Sequence, residues 1–238
     1  MKKQVASKQK HVEFRWYHVI YGSDEELIKL QDFDEELSEV PDALLIRYIR
    51  YFFFLLSLGT VILSAQYSGL QSFLIYFTHW TEVVGLISIT LTIVVTQIDD
   101  IHVRTNLLAS HHMLYTLSIF MNLVTMMVYW GLLHEECPQK YGPDQMNIFV
   151  KCYNCHIVPP LVCAVNSLMT NCKLSAKYIP VLISFGLFYG GVNCYTTKVT
   201  GKPVYGFMTW QGFDSVLIIF GMISGFSLIY LVLCWLDS

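Results

Sequence analysis

Charge is what this chain lacks. Beyond Arg50 it carries 15 Asp, Glu, Lys and Arg side chains in 188 residues, nearly all in the gaps between six apolar stretches. With 54% hydrophobic and 14% charged residues overall, an ordinary small water-soluble domain is excluded. The apolar stretches also lack the period-two alternation of barrel strands. In hydrocarbon every backbone N–H and C=O must be paired inside the protein, so the stretches are read as helices. No apolar run precedes the first stretch, so a cleavable secretory signal is not expected. There is no second C-x-x-C to complete a paired-cysteine zinc site, and no inverted repeat to suggest a transporter.

A hydrocarbon core of about 30 Å takes about 20 helical residues to cross. Spans are expected at about 46–67, 72–95, 111–133, 147–170, 175–197 and 213–236. The fold class is therefore all-α, a six-helix transmembrane domain over 46–238, with an even number of crossings and both termini on one side. Residues 1–45 form a polar extension, and residues 1–50 hold 18 of the 33 charges. Met1 to Val12 is basic and free of acids. Ser23 to Asp42 is acidic, with Leu27, Leu30, Phe33 and Leu37 spaced for one apolar stripe of an amphipathic helix. The basic start, with Arg47, Arg50, Arg104, Lys173 and Lys177 on the same side, favours the N terminus on the cytoplasmic or matrix face.

An ionisable group in the hydrocarbon costs at least about 2.5 kcal/mol on insertion scales, so each one must face protein, water or a partner. Thr78, His79, Glu82 and His156 stand out. At 1.5 Å per residue Thr78 lies about 9 Å, Glu82 about 15 Å and His156 about 13 Å from the same face. Thr78 and Glu82 are four apart on one face of the second helix, and His156 on the fourth can reach either. Hydroxyl, imidazole and carboxylate make a nucleophile, a base and an orienting group. The plainer alternative is a Thr78 bonded back to its own helix and a Glu82 bonded to His156 or Lys151, fixing helix packing.

The seven cysteines mostly fall within spans and suggest packing more than crosslinks. Cys152 to His156 spells C-x-x-C-H, the string of covalent haem attachment. Its place inside a span argues against a haem crevice, and no cofactor or metal is expected. Asn122, Asn166 and Asn193 are expected to bond between helices, and His102, His111 and His112 to be solvated at the start of the third. Pro159 and Pro160 interrupt the backbone ladder just after His156. Gly190, Gly191, Gly221 and Gly225 are expected to mark close helix contacts.

At Tyr76 to Glu82 (YFTHWTE), Asn154 to Pro160 (NCHIVPP) and above all Val199 to Met222, the chain resembles the androgen-induced and androgen-dependent TFPI-regulating membrane protein family. The likeness runs from about Ser72 to Leu236. The YFTHWT string and the aromatic second span also resemble the Rolling stone-like membrane proteins. The first resemblance implies a multi-pass hydrolase of fatty acid esters of hydroxy fatty acids, with an intramembrane Thr nucleophile and a His. Thr78 and His156 are the matching positions. Pro160 follows His156 one residue sooner than in the family, Thr81 rivals Thr78, and Glu82 corresponds to the family's acidic residue shifted by one.

Two functions follow as expectations. One is a lipid-contacting accessory subunit of a larger membrane assembly, with the inner mitochondrial membrane as its setting ahead of the endoplasmic reticulum or plasma membrane. The polar extension would then dock on a protein partner, since a charged terminus frays unless it is tied down. The other is an intramembrane lipid-ester hydrolase using Thr78 and His156, with Glu82 as orienting group. Membrane lipids are partners in both, and nucleic acid in neither. The subunit reading stands slightly ahead on sequence. The two differ at His156: a hydrolase needs it beside Thr78 at a cleft, whereas a scaffold can bury it against Glu82.

Overall fold

The computed structural model describes residues 43–98, 100–142, 144–170 and 172–236. The N-terminal extension, with its expected amphipathic helix and docking role, lies outside them, as does the placement of the two termini. All regular structure among the described residues is helical. The helices are α1 (Ala43–Ile75), α2 (Phe77–Val95), α3 (Ile101–Val128), α4 (Glu136–Tyr141), α5 (Gln145–Ile148), α6 (Cys155–Leu168), α7 (Ile179–Thr200) and α8 (Asp214–Leu236). A π-helical turn, Tyr129–Leu133, prolongs α3, and a second, Phe149–Asn154, joins α5 to α6.

Six helical stretches among the described residues are long and apolar enough to cross a membrane, the fourth being α5, the π-helical turn and α6 together. Their side chains are distributed as lipid demands. Leu55, Leu70, Phe188, Leu217 and Leu228 point outward, while Ser57, Thr60, Ser64, Thr81, Glu82 and Asn193 are buried. Water would favour the reverse; hydrocarbon drives polar groups inward to find partners.

α3 is the most enclosed rod and α8 the least. Leu117, Phe120, Met121 and Val124 of α3 make a core with Leu182 of α7 and Tyr230 of α8, and Phe77, Trp80 and Val84 of α2 pack against it. α2 also packs on α1 and α6. Where α7 meets α8, Gly186 and Gly190 take Ile223 and Ile219 against their backbones, a Cβ there falling 3.0 Å from the isoleucine carbons. The other glycines of the expected contacts, Gly191, Gly221 and Gly225, meet nothing within 4 Å.

The expected start of the second span at Ser72 is corrected to Phe77. Six residues assigned on sequence to the gap and to the second span instead prolong α1 past a break at Gly69, whose φ of 72° and ψ of 151° only glycine adopts readily. Tyr76 is extended (φ −85°, ψ 133°) and starts α2. Thr78 therefore sits in the first turn of α2 and not a third of the way along a span.

Gly69→Ala tests the break cleanly, because a Cβ at that position has open space around it and only the backbone objects. The expected cost is about 1–3 kcal/mol, read as a fall of roughly 5 °C in the melting temperature of the purified protein.

Candidate active site

α2 begins without a side-chain cap from Tyr76. Instead the Phe77 N–H donates to the Tyr189 hydroxyl of α7 and to the Tyr205 hydroxyl of the α7–α8 loop, each at 3.1 Å. The Tyr189 hydroxyl in turn donates to the Ile75 carbonyl, 3.1 Å away. Two backbone groups left over where α1 ends and α2 begins are thus paired by tyrosine. The Tyr205 hydroxyl is buried beside Tyr189, which pushes its phenol well above the ordinary range and keeps it protonated.

That corner fixes Thr78. Its Oγ1 stands 3.2 Å from His156 Nε2. Thr78 is half-buried and His156 is buried. The imidazole is held from two further directions. Its Nδ1 is 3.0 Å from the Cys152 carbonyl one turn back, and its face stacks on the Tyr129 ring at 3.7 Å and 13°. With Nδ1–H donated to a carbonyl, Nε2 carries the lone pair and can accept the Thr78 hydroxyl proton. Tyr129 and Cys152 both lie in π-helical turns, a distortion common at functional sites.

Two cavities meet at this pair. The larger, about 320 Å³, is the more polar of the two, lined by Ser68, His79, Lys140 and Lys151 with Leu133 and Val204 among others. The smaller, about 80 Å³, is apolar and bounded by Phe120, Phe185, Met208 and Ile223. Thr78, Tyr129, Leu133, His156 and Tyr205 line both.

The remaining sequence candidates take other places. Thr81 is fully buried, donating to the Phe77 carbonyl at 3.1 Å and paired with Thr125 at 2.9 Å. Glu82 does not orient His156. It accepts from Ser64 of α1 at 2.8 Å and meets His79 Nδ1, three residues before it on α2, at 3.2 Å. The Cys152 carbonyl holds the place expected for the carboxylate.

The cysteine expectation is also corrected. Cys137 and Cys152 form a disulfide with Cα atoms 6.0 Å apart, which ties α4 to the π-helical turn below His156. With Cys152 so engaged, the C-x-x-C-H string is not free to attach haem. Of the three asparagines only Asn166 reaches across helices, to Thr92 at 3.5 Å. Asn122 bonds back to Ser118, and Asn193 accepts from the loop Trp210. His111 and His112 are buried, contacting Thr92 at 2.8 Å and the Lys173 carbonyl at 2.8 Å.

Sequence reasoning missed Tyr129, Tyr189, Tyr205 and Ser68 at this site. Tyr205 lies in the Val199 to Met222 string on which the expected resemblance chiefly rests, and that is the one pointer to it. No family model matches the chain, and neither does any curated protein or solved structure.

Alkylation of the native protein without reductant should leave Cys137 and Cys152 unmodified and joined in one linked peptide pair; both should take the label after reduction. Recovery of either as a free alkylated thiol before reduction would contradict the crosslink.

Proposed function

We propose that this chain is an intramembrane hydrolase of fatty acyl esters, with Thr78 as nucleophile and His156 as general base. One observation carries the reading: the Thr78–His156 pair, 3.2 Å apart, lines both an apolar cavity and a more polar one. An acyl chain suits the first, and a polar leaving group and water suit the second. The family likeness at Tyr76 to Glu82 and Asn154 to Pro160 supports the same two residues.

The chemistry runs in two halves. Thr78 Oγ1 attacks the ester carbonyl as its proton passes to His156 Nε2. The tetrahedral intermediate collapses, the leaving alkoxide takes that proton, and the acyl group remains on Thr78. Water from the polar cavity then attacks, giving its proton to His156, and the Thr78 oxygen leaves and recovers it. Through both halves the Cys152 carbonyl keeps the Nδ1–H side of the ring fixed, the part an Asp plays in serine hydrolases. Thr78 lies in the first turn of α2, where the positive end of the helix dipole favours the oxyanion.

Lys140 and Lys151 on the polar cavity suit a substrate whose alcohol part bears a carboxylate, as an ester of a hydroxy fatty acid does. The Cys137–Cys152 crosslink at that cavity suits a mouth opening on an oxidising compartment, which agrees with an N terminus on the cytoplasmic or matrix side. The accessory-subunit reading, and the inner mitochondrial membrane with it, draws less support. It would have allowed His156 to be buried against Glu82 with no cleft.

Purified protein in detergent should hydrolyse a long-chain ester of a hydroxy fatty acid. Thr78→Ala and His156→Ala should each lower kcat/KM by about 10³-fold or more, while Thr78→Ser keeps measurable turnover. Unchanged turnover in a folded Thr78→Ala protein would remove the assignment.

A further inference from the structure

A second nucleophile–base–acid chain faces the same polar cavity. Ser68 Oγ is 3.1 Å from His79 Nε2, and His79 Nδ1 is 3.2 Å from Glu82 Oε2. The other carboxylate oxygen, Oε1, accepts from Ser64 at 2.8 Å. The order is hydroxyl, Nε2, Nδ1, carboxylate, the constellation by which a serine triad is recognised whatever the fold.

Its members are built for fixed geometry. Ser64 and Ser68 are one turn apart on α1, and His79 and Glu82 are three apart on α2, so each pair shares a helix face. Glu82, His79 and Ser64 are buried, whereas Ser68 is half-buried and lines the polar cavity. The His79 ring is clamped by Phe73, stacked at 4.7 Å and 12°. Ser68 directly precedes Gly69, whose φ of 72° and ψ of 151° break α1 at that point. Backbone conformations reserved for glycine collect at reactive sites, and a nucleophile at a sharp turn stands clear of its own helix.

We propose that Ser68, His79 and Glu82 form a second esterase centre, separate from Thr78 and His156, that acts on short or water-soluble acyl esters. The size class follows from the surroundings. Ser68 and His79 line the polar cavity and not the apolar one, so an acyl group on Ser68 meets lysines, tyrosines and serines and not the Phe120–Ile223 pocket. In the reaction Ser68 Oγ attacks the ester carbonyl while its proton moves to His79 Nε2. The alcohol leaves with that proton, and the acyl group stays on Ser68. Water then attacks, its proton passing to His79, and the carboxylic acid departs as Ser68 regains a proton. Glu82 touches no reacting atom; it is a positioning residue that holds His79 Nδ1–H and stabilises the imidazolium.

The bland alternative is that the four side chains only satisfy one another and staple α1 to α2. A short-chain alkyl fluorophosphonate, which phosphonylates activated serines, separates the two on the wild-type protein, with the adduct located by peptide mass spectrometry. The expected result is an adduct on Ser68 that forms on the order of 10³-fold more slowly in Glu82→Gln, as when a triad carboxylate is neutralised. Hydrolysis of a soluble butyrate ester should fall at least about 100-fold in Ser68→Ala. No adduct on wild-type Ser68, or one whose rate is the same in a folded Glu82→Gln protein, overturns the proposal. The wild-type adduct requires no variant, so a variant that fails to fold cannot obscure it. An adduct on Thr78 without one on Ser68 overturns this proposal alone. An adduct on Ser68 with long-chain turnover untouched in Thr78→Ala overturns the Thr78 assignment alone.

Discussion

The pairing of the Phe77 amide with the hydroxyls of Tyr189 and Tyr205 is the contact on which the rest of the site depends. The first amides of a helix have no carbonyl partner within it, and one left buried and unpaired costs a few kcal/mol. Here the first of them is held by α7 and by the loop that follows it, and Tyr189 closes the corner onto the Ile75 carbonyl. Three segments distant in sequence therefore agree on where α2 starts. Thr78, one residue further along, inherits that position.

His156 is placed by a different set of constraints. A π-helical turn carries Cys152 to where its carbonyl meets Nδ1, a second turn of the same kind brings up the Tyr129 ring, and a disulfide secures Cys152 to α4. Thr78 Oγ1 stands 3.2 Å from the ring, and Nδ1 has the Cys152 carbonyl at 3.0 Å and the Cys155 thiol at 3.1 Å. The carbonyl can only accept, which favours a proton on Nδ1, and it cannot change its charge.

Much of this is legible in the order of residues. Charge scarcity marks the six rods, and Thr78 and His156 stand out as polar residues in their spans; the depth count that brings them level begins at Ser72, five residues before α2 starts. The start of α2 is not legible, because Gly69 interrupts an apolar run without changing its hydropathy, so the break reads as continuous helix. The partner of Glu82 is hidden too: His79, three residues before it on α2, and Ser64 of α1 take the carboxylate, and spacing alone does not rank them against His156. The crosslink joins a loop cysteine to one inside a span, and spacing alone cannot tell such a pair from packed thiols. Ser68 carries no signal either. A serine within an apolar helix ordinarily bonds to its own backbone, and only folding brings His79 beside it.

α1 has 33 residues, about 50 Å of helix at 1.5 Å each, against a hydrocarbon thickness of about 30 Å. A rod that long is mismatched to its bilayer and must lean, project or divide. It divides at Gly69, short of the corner where Tyr189 grips Ile75. The long part of α1 before the break is tied to α2 through Ser64 and Ser68, and the six residues after it run to the tyrosine-pinned corner. When the surrounding lipid thickens or thins, α1 and α2 therefore lean as one unit, and the Gly69 joint takes up the difference.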